Sequence, residues 1–171
     1  MREFTKADGI VMSQITERSL GRGYKFFTSS FRADILNIKR AVNDALAYYD
    51  RSFDMMDDST RLELKIVLNE LLINAVKHGG KAGGKPGAAN YIKAVAGMAS
   101  VDRAFLIIED DGDGYDTTRV SRRRAGSASG GGIDDIEETG RGIYIVKSLC
   151  EDFMVNEKGN KVVITKRLRT A

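Results

Sequence analysis

Residues 61–79 read RLELKIVLNELLINAVKHG, and this stretch decides the fold. Leu64, Val67, Leu68, Leu71, Leu72 and Ala75 recur at helical spacing and form one broad apolar stripe. Ile66, Glu70, Asn74 and His78 fall four apart on another face. Upstream, Asp57-Asp58-Ser59-Thr60 offers several N-cap residues, and Thr60 with Glu63 has capping-box spacing. Downstream, Gly79 and Gly80 supply the left-handed conformation that ends helices. The spacing predicts a helix over about 61–78.

On the N-terminal side, Ile35, Ile38, Val42, Leu46 and Tyr49 predict a second helix over 33–49. Before it, Tyr24 to Phe31 is aromatic and β-prone, which predicts a short strand. Residues 1–23 read as an extension, leaving 24–171 as one domain. On the C-terminal side, 79–89 is a Gly-, Ala- and Lys-rich loop holding the only proline, Pro86. Tyr91 to Met98 and Ala104 to Glu109 predict two strands joined by a polar turn at 100–103, the second apolar enough to be central. Residues 117–139 lack periodicity; the run Arg122-Arg123-Arg124, a glycine tract and an acidic stretch give them the composition of a mobile lid. A helix is predicted over 142–150, then strands over 152–155 and 162–168 meeting at the turn Glu157-Lys158-Gly159-Asn160.

Composition excludes several classes. The chain has 171 residues, with a single cysteine and a single histidine. Cys150 therefore forms no intrachain disulfide, which suits a reducing compartment, and it reads as a buried small apolar residue. One histidine rules out a multi-histidine metal site, and His78 reads as a helix-end residue. With no apolar h-region near the start and no run of about 18 apolar residues, the expectation is a soluble, cytoplasmic protein with no membrane contact. A net charge of +3 without interleaved aromatic and basic residues gives no case for nucleic acid. Two apparent motifs fail. Gly79, Gly84 and Lys85 have P-loop spacing, but Pro86 stands where Ser or Thr must hold magnesium. Twelve positions on from Asp111, an EF-hand requires glutamate and the chain has Arg122.

Three separated elements carry usable chemistry. Glu70 and Asn74, one helical turn apart, place a proton acceptor beside an amide oxygen suited to a hard cation such as magnesium. Asp110-Asp111-Gly112-Asp113-Gly114 follows an apolar strand. A carboxylate at a strand end can accept from an exocyclic amine, and glycines let backbone pass close to a planar base. Gly140-Arg141-Gly142 opens the helix expected from 143, where bare backbone N–H groups suit phosphate and Arg141 adds charge. Each alone also has an ordinary reading: a solvated helix face, a turn, a flexible start to a helix.

In this order the segments resemble the GHKL (Bergerat-fold) ATPase superfamily of gyrases, heat-shock chaperones, histidine kinases and mismatch-repair ATPases. Glu70-Leu-Leu-Ile-Asn74-Ala75-Val76-Lys77-His78-Gly79 is similar to its N box, Asp110-x-Gly112-x-Gly114 to its G1 box and Gly140-Arg141-Gly142-Ile143 to its G2 box. The NAVKHG ending (74–79), the TGRGIYIVKSL segment (139–149) and the compact length look most like bacterial anti-sigma factor serine kinases. The resemblance covers about residues 24–168. It implies an α+β two-layer sandwich, with a mixed, mostly antiparallel sheet, helices on one face and a flexible ATP lid at about 115–141. It further implies that Asp110 holds the adenine amino group and that Gly112 and Gly114 line base and ribose. Asn74 would bind magnesium, Gly140 and Gly142 would face the phosphates, and Lys77 and Arg141 would lie among the nucleotide contacts. Glu70 would be the general base. The implied cofactors are ATP and magnesium; the implied partners are a sigma factor, an antagonist with a STAS domain and a second copy of the chain. The terminal turn departs from the pattern, carrying Gly159-Asn160 where Gly-Thr is common. Because the sole histidine lies in the N box, autophosphorylation on a helical histidine is excluded. A nucleotide-gated binding module and a phosphotransfer component acting on another chain's histidine are the alternatives.

Overall fold

In the computed structural model, the described residues form eight elements in the order β1 (Phe26–Arg32), α1 (Ile35–Ser52), α2 (Asp58–Gly79), β2 (Tyr91–Met98), β3 (Arg103–Asp110), α3 (Glu138–Leu149), β4 (Asp152–Val155) and β5 (Lys161–Arg167). The structure describes residues 26–79, 90–112, 114 and 138–171, with 78, 79 and 138–140 as backbone only. The expected extension at 1–23, most of the loop at 79–89 and the lid at 115–141 up to residue 137 lie outside the described residues.

The strands form one sheet in the order β1-β2-β3-β5-β4. Every pairing is antiparallel, from Phe26 opposite Gly97 at one edge to Val155 opposite Val162 at the other. Alternate residues of a strand point to opposite faces. Ile92, Ala94 and Ala96 of β2, Ala104, Leu106 and Ile108 of β3, and Ile164 of β5 accordingly share one core with the helices. On the far face Phe105, Ile107 and Val163 make a second, smaller cluster. The architecture is therefore an α+β sandwich with its helices on one side of an antiparallel sheet.

All six stripe residues of α2 are buried, as the periodicity requires. α2 is the central helix, packed against both α1 and α3. Its N-terminus differs from the expected Thr60–Glu63 capping box. The Asp57 carboxylate accepts from the Thr60 amide at 2.5 Å and from the Ser59 hydroxyl at 3.0 Å, so Asp57 is the cap. Thr60 and Glu63 are engaged by cations from the C-terminal strand: Arg169 Nε donates to Thr60 Oγ1 at 3.1 Å, and Arg169 and Lys166 both donate to the Glu63 carboxylate. Charged donors displace the neutral backbone amide a capping box would use. In α1, Asp34 caps the helix by accepting from Leu36 N at 2.9 Å, and burial begins at Ile38. Ile35, counted in the apolar stripe, is exposed because it belongs to the first turn, before the helix reaches the sheet.

Beyond β5 the chain returns to the start of α2. Asp57 N donates to Arg169 O at 2.9 Å and Ala171 N to Met55 O at 3.0 Å.

Candidate functional site

The end of β3 and the β4–β5 turn build one side of the site. Asp110 is the last residue of β3 and shares the helix-facing parity of Ala104, Leu106 and Ile108. It is buried, and its Oδ1 accepts from the Gly112 amide at 2.9 Å, which turns the chain sharply after the strand. Asn160 holds the aspartate's backbone from the neighbouring strand. Its Nδ2 donates to Asp110 O at 2.7 Å, and its carbonyl accepts from Asp110 N at 2.9 Å. Asn160 is positioned in turn by Asn156, whose Oδ1 accepts from the amides of Asn160 and Lys161 and whose Nδ2 donates to Asn160 Oδ1. Gly114 has φ of +78° and runs so close to the turn that any side chain there would strike the Lys158 carbonyl.

The second side is the seam between α2 and α3. Glu70 and Asn74 are partly buried on α2, and the Glu70 carboxylate lies directly against the Cα of Gly142. A β-carbon at 142 would occupy the place of Glu70 Oε2, so glycine is what permits the approach. Asn74 Nδ2 is fully enclosed and, among the described residues, has no hydrogen-bond partner. An enclosed amide nitrogen without an acceptor costs about 1–3 kcal/mol, and such groups mark a place completed by something else. Rotating the amide about its terminal bond puts the oxygen there instead, so the site can meet either a phosphate oxygen or a cation. Among the described residues no three of His, Cys, Asp and Glu gather as a metal cluster. A cation at Asn74 would thus have one protein oxygen and take its others from phosphate and water, the habit of magnesium. The donor set fits that ion.

α3 begins at Glu138, four residues before the expected start at 142, so Gly140 and Arg141 lie in its first turn instead of preceding it, and Gly142 follows in the second. Two glycines argue locally against a helix, yet packing on α2 outweighs that preference. Gly140 and Arg141 are still among the first residues of the helix, whose amides are free of intrahelical partners or nearly so. Lys77 and Arg141 are exposed.

The structure thus brings Gly142 onto Glu70 and joins Asp110 to Gly112, with Gly114 against the β4–β5 turn. The His78 side chain and Arg122, Arg123 and Arg124 lie outside the described residues. Asn160 was missed as a site residue; its departure from the usual Gly-Thr pair was the signal. Burial pushes the Cys150 thiol up to about 11, which makes it a packing group and a poor nucleophile.

The family model described as histidine kinase-like ATPase domain matches residues 31–166. Among curated relatives, the serine-protein kinase RsbW of Staphylococcus aureus strain MSSA476 is 27% identical over 120 residues, 69% of either chain. The same protein from strains MW2 and Newman matches to the same extent. The family match runs from the end of β1 to Lys166 and so holds Glu70, Asn74, Asp110 and Gly142 together.

Proposed function

The chain belongs to the histidine kinase-like ATPase domain family, and on that premise we propose that it is an ATP-dependent serine/threonine protein kinase of the anti-sigma type. The observation that carries the reading is the α2–α3 seam, where the Glu70 carboxylate is fixed on Gly142 one helical turn from the unpartnered Asn74 amide. A bare pocket for adenine would need neither. The names of the Staphylococcus relatives support a serine of a protein as the acceptor.

ATP would enter with its base at Asp110, whose acceptor oxygens match an exocyclic amine, and with Gly112 and Gly114 along base and ribose. Gly140 and Arg141, at the amino end of α3, offer backbone N–H groups and positive charge to the phosphates. Lys77, exposed near the end of α2, adds a second cation. Glu70 accepts the proton of the substrate hydroxyl as that oxygen bonds to the γ-phosphorus and the bond to the ADP oxygen breaks. When bound, magnesium held by the Asn74 oxygen neutralises charge on the phosphates. The partner reading, a STAS-like antagonist as substrate and a sigma factor as the sequestered protein, engaged by a paired copy of the chain, follows from the same resemblance.

The test is incubation with γ-labelled ATP and magnesium in lysate of the source organism, comparing wild type with Glu70→Ala. Acid-stable, alkali-labile label on one protein, lost by about a thousandfold in the variant while ATP binding stays, is the expected result. Acid-labile label would indicate a histidine acceptor. Bound ATP with no transfer would leave a nucleotide-gated binding module.

A further inference from the structure

Lys166 is a lysine where the sheet's parity demands a core residue. It follows Val162 and Ile164 on the helix-facing side of β5, and only 4% of its surface is exposed. A buried ammonium carries a desolvation cost of several kcal/mol unless paired, and an apolar residue of the same length would avoid it. Its two partners explain the placement. Nζ donates to Glu63 Oε2 of α2 at 2.5 Å and to the backbone carbonyl of Leu149, the last residue of α3, at 2.7 Å. The ammonium also meets the negative end of the α3 dipole.

Those contacts form the lower of two rungs between α2 and α3. The upper rung is Glu70 on Gly142. Glu63 and Glu70 are seven residues apart on α2, and Gly142 and Leu149 are seven apart on α3, so the rungs match only if the helices run antiparallel. Each pair spans roughly 10 Å of axis. Between the rungs lie Val67 and Val146, both fully buried in the main core. Apolar burial is non-directional and gives little axial address, whereas a hydrogen-bonded ammonium has one.

We infer that Lys166 is a positioning residue: by tying the carboxyl end of α3 to Glu63, it sets where Gly142, two turns away, meets the Glu70 carboxylate. This rests on the kinase reading only for its catalytic consequence; the seating of α3 is independent of it. The base end of the site, built from β3 and the β4–β5 turn, does not pass through this clamp. Loss of Lys166 therefore separates turnover from recognition of the base.

The experiment compares wild type, Lys166→Met and Lys166→Arg for adenosine affinity, kcat of transfer or hydrolysis, and amide hydrogen exchange. For Lys166→Met the expected result is a kcat about a hundredfold lower, affinity unchanged within about threefold, and faster exchange in the first turns of α3 but not in β3. Lys166→Arg restores most of the kcat. Unchanged kcat and exchange in a folded Lys166→Met would overturn the inference, as would a parallel fall of kcat and affinity that arginine does not repair. If Lys166→Met does not fold, Glu63→Gln takes its place: the same split in smaller measure is expected, and its absence overturns the inference. Wild type that binds no ATP would reject the kinase reading, and the exchange result alone would then decide the clamp.

Discussion

The two sides of the site are finished to different degrees. At the Asp110 side the backbone and side chains are tied together: Asp110 to Gly112, Asp110 to Asn160 twice, and Asn160 to Asn156. At the α2–α3 side Asn74 Nδ2 has no partner among the described residues, and Glu70 is set by a van der Waals approach to Gly142. Satisfied polar networks are rigid, and unsatisfied groups await a ligand. Under the proposed function, the first side is shaped in advance to recognise a base. The second reaches its complete set of contacts only with phosphate in place, which separates binding from transfer.

The sharpest way to break that contrast is Gly142→Ala. Alanine favours a helix, and the group it meets is the free end of the Glu70 side chain, so the fold should persist with an unchanged or slightly higher Tm. The carboxylate must move, however, and phosphoryl transfer should fall about a hundredfold at unchanged adenosine affinity. A transfer rate equal to wild type would mean the Glu70–Gly142 approach is mere packing. Asp110→Asn probes the other side. Asparagine keeps an oxygen for the Gly112 amide but loses the charge, so ATP affinity should fall about thirtyfold, from about 2 kcal/mol of charged hydrogen bonding. Titration with a fluorescent nucleotide reads it, and an unchanged Kd would remove Asp110 from the base.

The smallest effect lies away from both sides. Bonding to the hydroxyl and amide of Thr60 lowers the Asp57 carboxyl from 3.8 to about 2. A carboxylate more acidic in the folded chain stabilises it above the unfolded value and loses that contribution as pH falls through the folded one. Asp57→Ala should lower Tm by a few degrees at pH 7, and the gap from wild type should close between about pH 4 and pH 2. A gap that persists at pH 2 would show that charge is not what the cap contributes.

Local pattern made most of the fold legible. β2 and β4 fall on the expected residues, and the α2 stripe is buried throughout, because period and turn chemistry act over a few residues. What escaped was set by partners far along the chain. Thr60 and Glu63 spell a capping box, but Arg169 and Lys166, more than 100 residues away, take them. Gly140 reads as the approach to a helix, while packing of α3 on α2 draws it inside. The Glu70–Asn74 pair was legible as spacing; that Asn74 lacks a partner among the described residues is visible only in three dimensions.

The link between Asp110 and Asn160 spans 50 residues, and this has a consequence for synthesis. A chain leaving the ribosome presents β3 well before the strand that flanks it, since β5 is the last to emerge. Until then Asp110 ends a strand with one edge bare, and its carbonyl and amide lack their bonds to Asn160. The nascent chain can assemble α1, α2 and the β1–β2–β3 part of the sheet before β5 emerges, since all of these elements precede residue 111. The Asp110 turn takes its final shape only when translation has passed residue 160, so competence for ligand arrives late and all at once.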